Sequence, residues 1–181
     1  MLGQYHIQYK FPSTILRISW IHAEDDLIAH MTLRPPDFGG PPWRGLARTR
    51  RQKDLFLKKR EGVGCLVHAD GSPFIRHIVG IQDVVQSFLL ALGNPAAIGQ
   101  TFNIAAPEPF SYDALAAHIA DKLDAPVVKF TFRDAHDFRI NISKARSVLG
   151  YEPRWDAFRI ADAGIEWRSR GGRRKAIRYA G

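Results

Sequence analysis

The stretch that decides the fold is Arg76-His77-Ile78-Val79-Gly80-Ile81-Gln82-Asp83-Val84-Val85. Its first half is apolar and β-branched and predicts a strand over Phe74–Ile81. Asp83 is a preferred residue type for a helix N-cap and is predicted to start a helix that Gly93-Asn94-Pro95 ends. Helical spacing predicts one buried face made of Val84, Val85, Phe88, Leu89 and Leu92. A strand that leads directly into a helix is the building unit of layered α/β proteins.

Strand and helix patterns alternate on both sides of this stretch. Strands are predicted at Thr14–Ile21, Gly64–His68, Thr101–Ala105 and Val127–Phe132. Helices are predicted at Leu46–Arg60, after a cap at Ser111, after a cap at Ser143 up to Gly150, and at Ala157–Trp167. Paired prolines and glycines between 35 and 42 predict an irregular loop, and the acidic cluster Glu24-Asp25-Asp26 predicts a helix N-terminus. The alternation indicates an α/β fold.

Three blocks of sequence together resemble a known family. They are Arg76–Val85, Thr101-Phe102-Asn103-Ile104-Ala105, and Ile142-Ser143-Lys144-Ala145-Arg146-Ser147-Val148-Leu149-Gly150-Tyr151-Glu152-Pro153. In this order and at these spacings they resemble the C-terminal half of the extended short-chain dehydrogenase/reductase family, which includes NAD-dependent nucleotide-sugar epimerases and dehydratases. The resemblance implies the edge of a partial Rossmann-type parallel sheet plus the small α/β substrate-binding domain. It places that region at 1–167 and leaves a basic tail at 168–181.

The other half of that family carries a Gly-rich dinucleotide loop and a Tyr-x-x-x-Lys catalytic pair, and the sequence contains neither. Gly62-Val63-Gly64 lacks the third glycine of such a loop and opens no predicted helix. The resemblance therefore implies NAD or NADP in a complete family member and no cofactor for this chain alone. It leaves open whether the chain is an enzyme. The expected partners are a nucleotide sugar and either a separate chain that supplies the Rossmann half or further copies of this chain.

The resemblance implies two arginines that contact the diphosphate of a nucleotide sugar. Arg76 stands seven residues before Asp83, which matches the family's spacing, and its planar guanidinium suits phosphate oxygens. Arg133 is the candidate for the second contact, with Arg139 as the alternative. On the opposing interpretation, Arg76 pairs with Asp70 or Asp83 and Arg133 is an ordinary surface arginine.

Trp20 and His22 are the remaining candidate site residues. They lie in a strand similar to the family's strand that passes the nicotinamide and the sugar. Trp20 stands where an asparagine often contacts the sugar, and His22-Ala23 replaces the usual Tyr-Gly. An indole there would narrow the pocket or stack on a ring. The alternative is that Trp20 packs in the core and His22 merely ends the strand.

The net charge of +8 comes from two segments. Residues 44–60 hold eight basic side chains and one acid, Asp54, and residues 168–181 hold six basic side chains and no acid. Such runs are usually solvated surface, while binding of nucleic acid or an acidic partner is the alternative function. Nucleic acid is the less favoured partner, because Phe56 within the first segment and Trp43 directly before it are the only aromatic rings among these basic residues.

Composition narrows the remaining classes. No apolar run approaches the roughly 18 residues of a membrane span, and the N-terminus lacks the pattern of a signal peptide. The single cysteine, Cys65, favours a reducing cytoplasm, and the seven scattered histidines predict no metal site.

Overall fold

The computed structural model describes residues 2–23, 25–33, 43–58, 61–133 and 136–172, with all side chains except those of Leu2, Gly3 and Tyr5. The helices are α1 (Leu2–Tyr9), α2 (Asp26–Met31), α3 (Trp43–Leu46), α4 (Arg50–Leu57), α5 (Ile81–Ala91), α6 (Tyr112–Leu123) and α7 (Ala157–Ser169). The strands are β1 (Ile15–Ile18), β2 (Trp20–His22), β3 (Val63–Val67), β4 (Ile75–Arg76), β5 (Ile78–Gly80), β6 (Thr101–Ile104), β7 (Phe110–Ser111) and β8 (Val127–Thr131). Glu24, the predicted loop at 35–42 and the tail from 173 lie outside the described residues.

The chain forms two compact units, each assembled from three separate segments. The first unit contains Met1–His22, Ile75–Phe110 and Asp137–Ala157, and the second contains Ala23–Phe74, Ser111–His136 and Phe158–Gly181. The pairs β1–β6 and β2–β5 lie in the first unit and β3–β8 in the second, and all three are parallel. The α/β prediction with parallel strands is confirmed. The predicted boundary between 167 and 168 falls inside α7, and the division made there stays a prediction.

The predicted strand Thr14–Ile21 is two strands, because the chain changes partners at Ser19. Strand β1 pairs with β6, starting at Ile15 opposite Thr101, while β2 pairs with β5. Ser19 donates its backbone N–H to Ile104 at 2.9 Å and its hydroxyl to the carbonyl of His77. Ser19 is thus hydrogen-bonded both to the last residue of β6 and to the residue directly before β5.

Asp83 does not start α5 as predicted. The helix begins at Ile81, and Asp83 lies buried inside its first turn. Its two carboxylate oxygens accept the backbone N–H of Arg154 at 3.0 and 3.1 Å, and one also accepts the N–H of Trp155 at 2.9 Å. Gly80, just before the helix, allows this approach, since a Cβ there would lie 2.7 Å from Cβ of Trp155. Asp83 therefore ties α5 to the segment before α7.

The predicted buried face of α5 is also wrong. Val84 is buried together with Asp83 and Ser87. The other four apolar residues are exposed by 50, 55, 68 and 81% at Val85, Phe88, Leu89 and Leu92. They follow the spacing i, i+3, i+4, i+7 and therefore form one apolar stripe on the helix. Helical spacing identified a continuous face but not the direction in which that face points.

Neither of the two serines predicted as helix caps makes a capping hydrogen bond through its side chain. The helical segment predicted after Ser143 begins at Ser143 itself, whose N–H is accepted by Oδ1 of Asn141 at 2.8 Å. The side chain of Asn141 therefore satisfies the first N–H of this segment, and Ser143 does not lie before it as a cap. Ser111 does occupy the N-cap position of α6, but its side chain makes no capping hydrogen bond. Gly150 ends the segment Ala145–Leu149 with φ 68°, as predicted.

The second unit is organised around β3, all five residues of which are buried. Trp43 packs against it, with its indole N–H donating to the carbonyl of His30 at 2.9 Å and its ring centroid 5.1 Å from that of Phe130. Burial raises the pKa of the Cys65 thiol to about 11, and the charge of Asp113 adds to the effect. Among the described helices, none is long and apolar enough to cross a membrane.

Candidate functional site

Arg76 is half-buried in β4, where an aromatic ring supports its side chain. The guanidinium carbon lies 4.8 Å from the centroid of the Phe138 ring, which is a cation–π distance. Next to Arg76, the N–H of Ile75 donates to Oδ1 of Asp137 at 2.8 Å. The segment that begins at Asp137 therefore holds both the strand and the arginine. Sequence reasoning missed Phe138, because nothing in the spacing connects it to a residue 62 positions earlier.

The two carboxylates proposed as alternative partners of Arg76 have other roles. Asp83 accepts the backbone N–H groups of Arg154 and Trp155. Asp70 accepts the hydroxyl and the backbone N–H of Ser72 at 2.7 and 2.9 Å, which closes a turn and lowers the pKa of Asp70. Asp70 therefore stabilises a local turn, whereas Asp83 binds backbone about 70 residues later in the chain.

His77, next to Arg76, is buried between two backbone segments in a single tautomer. Its Nδ1 accepts the N–H of Ile140 at 2.9 Å, so Nε2 carries the proton and donates to the carbonyl of Ala106 at 2.9 Å. Burial lowers the pKa of His77 below its ordinary value of 6.5, and the positive charge of Arg139 lowers it further. A neutral imidazole thus joins the Arg76 strand to the segment that carries Phe138.

We expect the free energy of unfolding to fall as the pH drops below 6.5, the ordinary pKa of His77. Above 6.5 the imidazole is neutral in both states. Below it the unfolded chain takes up a proton that the folded chain does not, until the lower folded pKa is passed. Urea unfolding between about pH 7.5 and 5.5 measures the slope, which His77→Gln should flatten and His136→Gln, at an exposed histidine, should not. An unchanged slope in His77→Gln would contradict this role.

Trp20 is partly exposed to solvent, whereas His22 is buried. The indole of Trp20 is 42% exposed, so it does not pack in the core, whereas His22 is 3% exposed at the end of β2. Their ring centroids are 5.1 Å apart with an interplanar angle of 52°. The pair therefore presents one aromatic surface backed by a buried ring.

The two candidates for a second phosphate contact lie in different units. Arg139 is exposed, belongs to the first unit and directly follows Phe138. Arg133 is exposed in a turn after β8 and belongs to the second unit. The structure thus brings Arg76, Phe138 and Arg139 into one unit, together with Trp20 and His22. It does not bring Arg133 into that unit.

The described part of the basic segment, 44–58, contains most of α3 (Trp43–Leu46) and the whole of α4 (Arg50–Leu57), whereas a single helix is predicted at Leu46–Arg60. Thr49 and Gln52 make a capping box at the start of α4, and no residue of α4 is buried. A groove beside it is lined by Arg50, Arg51 and Lys58, and also by the acids Asp54 and Glu61. The described part, 44–58, is mostly exposed or half-buried and carries six basic side chains and one acid, and binding of nucleic acid or an acidic partner through this segment and the tail stays a prediction.

Comparison with solved structures identifies the fold. No protein-family model matches the chain, and no curated protein matches it in sequence. A short-chain dehydrogenase/reductase superfamily protein from Agrobacterium tumefaciens with bound NAD superimposes on 94% of this chain with a TM-score of 0.76 and 23% identity. The fold is that of a short-chain dehydrogenase/reductase.

Two nucleotide-sugar enzymes of the short-chain dehydrogenase/reductase fold are also similar to the chain. The UDP-glucuronic acid 4-epimerase from Bacillus cereus, solved with UDP-glucuronic acid and NAD, is 18% identical over 93% of the chain with a TM-score of 0.61. The UDP-glucose 4-epimerase from Thermotoga maritima, solved with UDP-glucose, is 18% identical over 94% with a TM-score of 0.62. The chain spans only 54, 48 and 50% of these three solved chains, that is, about half the length of each.

Among the described glycines, the pair Gly62 and Gly64 does not fit the dinucleotide that the fold implies. Gly62 and Gly64 lie at the start of buried strand β3, not in a loop that opens a helix. A Cβ on Gly64 would lie 2.5 Å from Cζ2 of Trp43, so this glycine makes room for an indole. Glycine is needed at positions 62 and 64 because the side chains of Leu33 and Trp43 pack there, and not because a pyrophosphate must approach the backbone.

Proposed function

We propose that this chain is the nucleotide-sugar-binding portion of an NAD(P)-dependent epimerase/dehydratase-like protein, and that Arg76 contacts the diphosphate. The observation that carries the proposal is the half-buried guanidinium of Arg76 over the ring of Phe138. A guanidinium stays charged at any relevant pH and presents a planar fork to phosphate oxygens. Support by an aromatic face restricts its side-chain freedom before a ligand arrives, which reduces the entropic cost of binding.

Other residues of the first unit add to this site. Arg139 follows Phe138 directly and brings a second positive charge to the same segment, so we favour it over Arg133 as the second phosphate contact. The exposed indole of Trp20 offers a flat face on which a base or sugar ring can stack. The role of Arg133 stays a prediction.

In this proposal the chain binds and orients its ligand and does not turn it over alone. Hydride chemistry belongs to a nicotinamide cofactor, and a protein must place that cofactor against the sugar. Arg76 and Arg139 supply the phosphate contacts and Trp20 the ring-stacking surface, while Gly62 and Gly64 serve packing instead of cradling a pyrophosphate. Turnover is therefore expected only together with a dinucleotide-binding half.

We expect UDP-glucose and UDP-glucuronic acid to bind the purified chain and Arg76→Ala to weaken binding at least about tenfold, which corresponds to about 1.4 kcal/mol. Calorimetric titration measures both affinities. Arg76→Lys should restore only part of the loss, because an ammonium keeps the charge but not the fork.

The matched control is Arg17→Ala, which removes an exposed arginine of the same unit from β1. It should leave the affinity unchanged. No heat from a sample that circular dichroism shows to be folded, or equal affinity in Arg76→Ala and the unaltered chain, would rule the proposal out.

A further inference from the structure

The proposed phosphate site is assembled from two segments of the chain that His77 holds together. Arg76 lies in β4, whereas the ring that supports its guanidinium, that of Phe138, lies in the segment that begins at Asp137. Two residues after Phe138, the backbone N–H of Ile140 donates to Nδ1 of His77 at 2.9 Å. The side chain next to Arg76 therefore fixes the segment that carries its aromatic support.

His77 is anchored from its other side as well. Its Nε2 donates to the carbonyl of Ala106 at 2.9 Å, and Ala106 in turn donates its N–H to the carbonyl of Ile78 in β5 at 2.8 Å. The carbonyl of His77 accepts the hydroxyl of Ser19. Residues 137–140 belong to no helix or strand, so contacts such as the one with His77 position them. Loss of that contact would therefore move the segment and leave the histidine in place.

The neutral imidazole is the form that can hold the segment. The ring is 3% exposed, and a protonated ring would be a donor at both nitrogens, so Nδ1 would face the N–H of Ile140 with a proton of its own. Burial and the positive charge of Arg139 lower the pKa of His77, whereas the carbonyl of Ala106 and the carboxylate of Glu108 favour the charged ring. Protonation therefore acts against the segment through a lost hydrogen bond and through repulsion of Arg139.

We infer that His77 is a positioning residue of the phosphate site: its neutral imidazole holds the segment that carries Phe138 and Arg139, and its protonation releases this segment from Arg76 and lowers the affinity for the nucleotide diphosphate. The inference rests on the proposed function and adds regulation by pH to it. The direction of the effect is distinctive. A positive charge that only faced the ligand would attract the diphosphate and strengthen binding as the pH falls, whereas a lost positioning contact weakens it.

The test is calorimetric titration of the chain with UDP-glucose, whose diphosphate, esterified at both ends, keeps its charge between about pH 7.5 and 5.0. The apparent affinity should fall about twofold where half of the folded chain is protonated at His77, and by up to about tenfold one pH unit below. Because the ligand prefers the neutral form, binding below pH 6.5 should also release protons, so the measured heat should depend on the ionisation enthalpy of the buffer. Circular dichroism at each pH checks that the chain stays folded.

Two variants of His77 separate positioning from a general loss of structure. His77→Gln removes the titrating ring and should make the affinity independent of pH, whereas His136→Gln, at an exposed histidine of the other unit, should keep the pH dependence of the unaltered chain. His77→Leu cannot accept the N–H of Ile140 and should weaken binding at neutral pH. Its effect should be much smaller in the background of Arg76→Ala, because positioning acts through Arg76.

The outcomes distinguish this inference from the proposed function. Affinity that stays constant or rises as the pH falls, or an unchanged pH dependence in His77→Gln, would overturn the inference. If Arg76→Ala weakens UDP-glucose binding while the pH has no effect, the proposed function stands without it. If UDP-glucose does not bind the folded chain at any pH, both are wrong.

Discussion

Asp83→Asn is expected to lower the free energy of unfolding by about 3 kcal/mol, since hydrogen bonds to a charged partner contribute about 1.5–3 kcal/mol each and a buried donor left unpaired costs about as much. The carboxylate is 3% exposed and accepts N–H groups from Arg154 and Trp155. An amide of the same size has only one acceptor oxygen, and its NH2 group would face a backbone N–H. The change also removes a negative charge from the first turn of α5, where it interacts favourably with the helix dipole.

Urea unfolding followed by circular dichroism measures this loss as a lower midpoint at constant slope. The matched control is Asp121→Asn, which makes the same change at an exposed position of α6 and should shift the midpoint little. If Asp83→Asn unfolds at the same urea concentration as the unaltered chain, the carboxylate does not hold the segment before α7.

Gly64→Ala is expected to cost a similar amount, about 3 kcal/mol, because overpacking a core costs about 1–3 kcal/mol and a lost hydrogen bond about 1 more. The new methyl group would lie 2.5–2.6 Å from three ring atoms of Trp43. The indole cannot move away without cost, since it is 2% exposed and donates to the carbonyl of His30. The unfolding midpoint of the variant in urea should fall accordingly.

A double-mutant cycle tests the stated cause. In the background of Trp43→Leu, which removes the clashing ring, Gly64→Ala should cost far less than in the unaltered chain. Equal costs in the two backgrounds would show that the glycine is needed for another reason, such as its backbone freedom.

The fold class could be predicted from the sequence because its signal is local. The strands β3, β6 and β8, the end of α5 at Ala91 just before Gly93-Asn94-Pro95, and the end of the segment Ala145–Leu149 before Gly150 each depend on residues within a few positions. The blocks around Arg76, Thr101 and Ile142 carried the resemblance, and the solved structures confirm the fold that it implied.

The features that the sequence did not predict depend on contacts between distant segments. Ser19 splits a strand because two different partners flank it, and neither partner is visible in the run Thr14–Ile21. The sequence predicts a cap at Asp83, because the backbone groups that this carboxylate binds belong to residues about 70 positions later and give no local signal. Phe138 and His77 support the candidate site through the same kind of contact, so only Arg76 itself could be found by spacing.

The interleaving of the two units has a consequence for how the chain is made. Each unit contains three segments of the chain. The parallel ladder of β1 and β6 can form only after Thr101, the residue opposite Ile15, has been synthesised. Contacts so distant in sequence fold slowly, because the entropy of closing the intervening chain is lost before any pairing compensates for it. During synthesis β1 therefore leaves the ribosome long before its partner strand. A nascent apolar segment of this kind is open to aggregation and to capture by chaperones until most of the polypeptide has been translated.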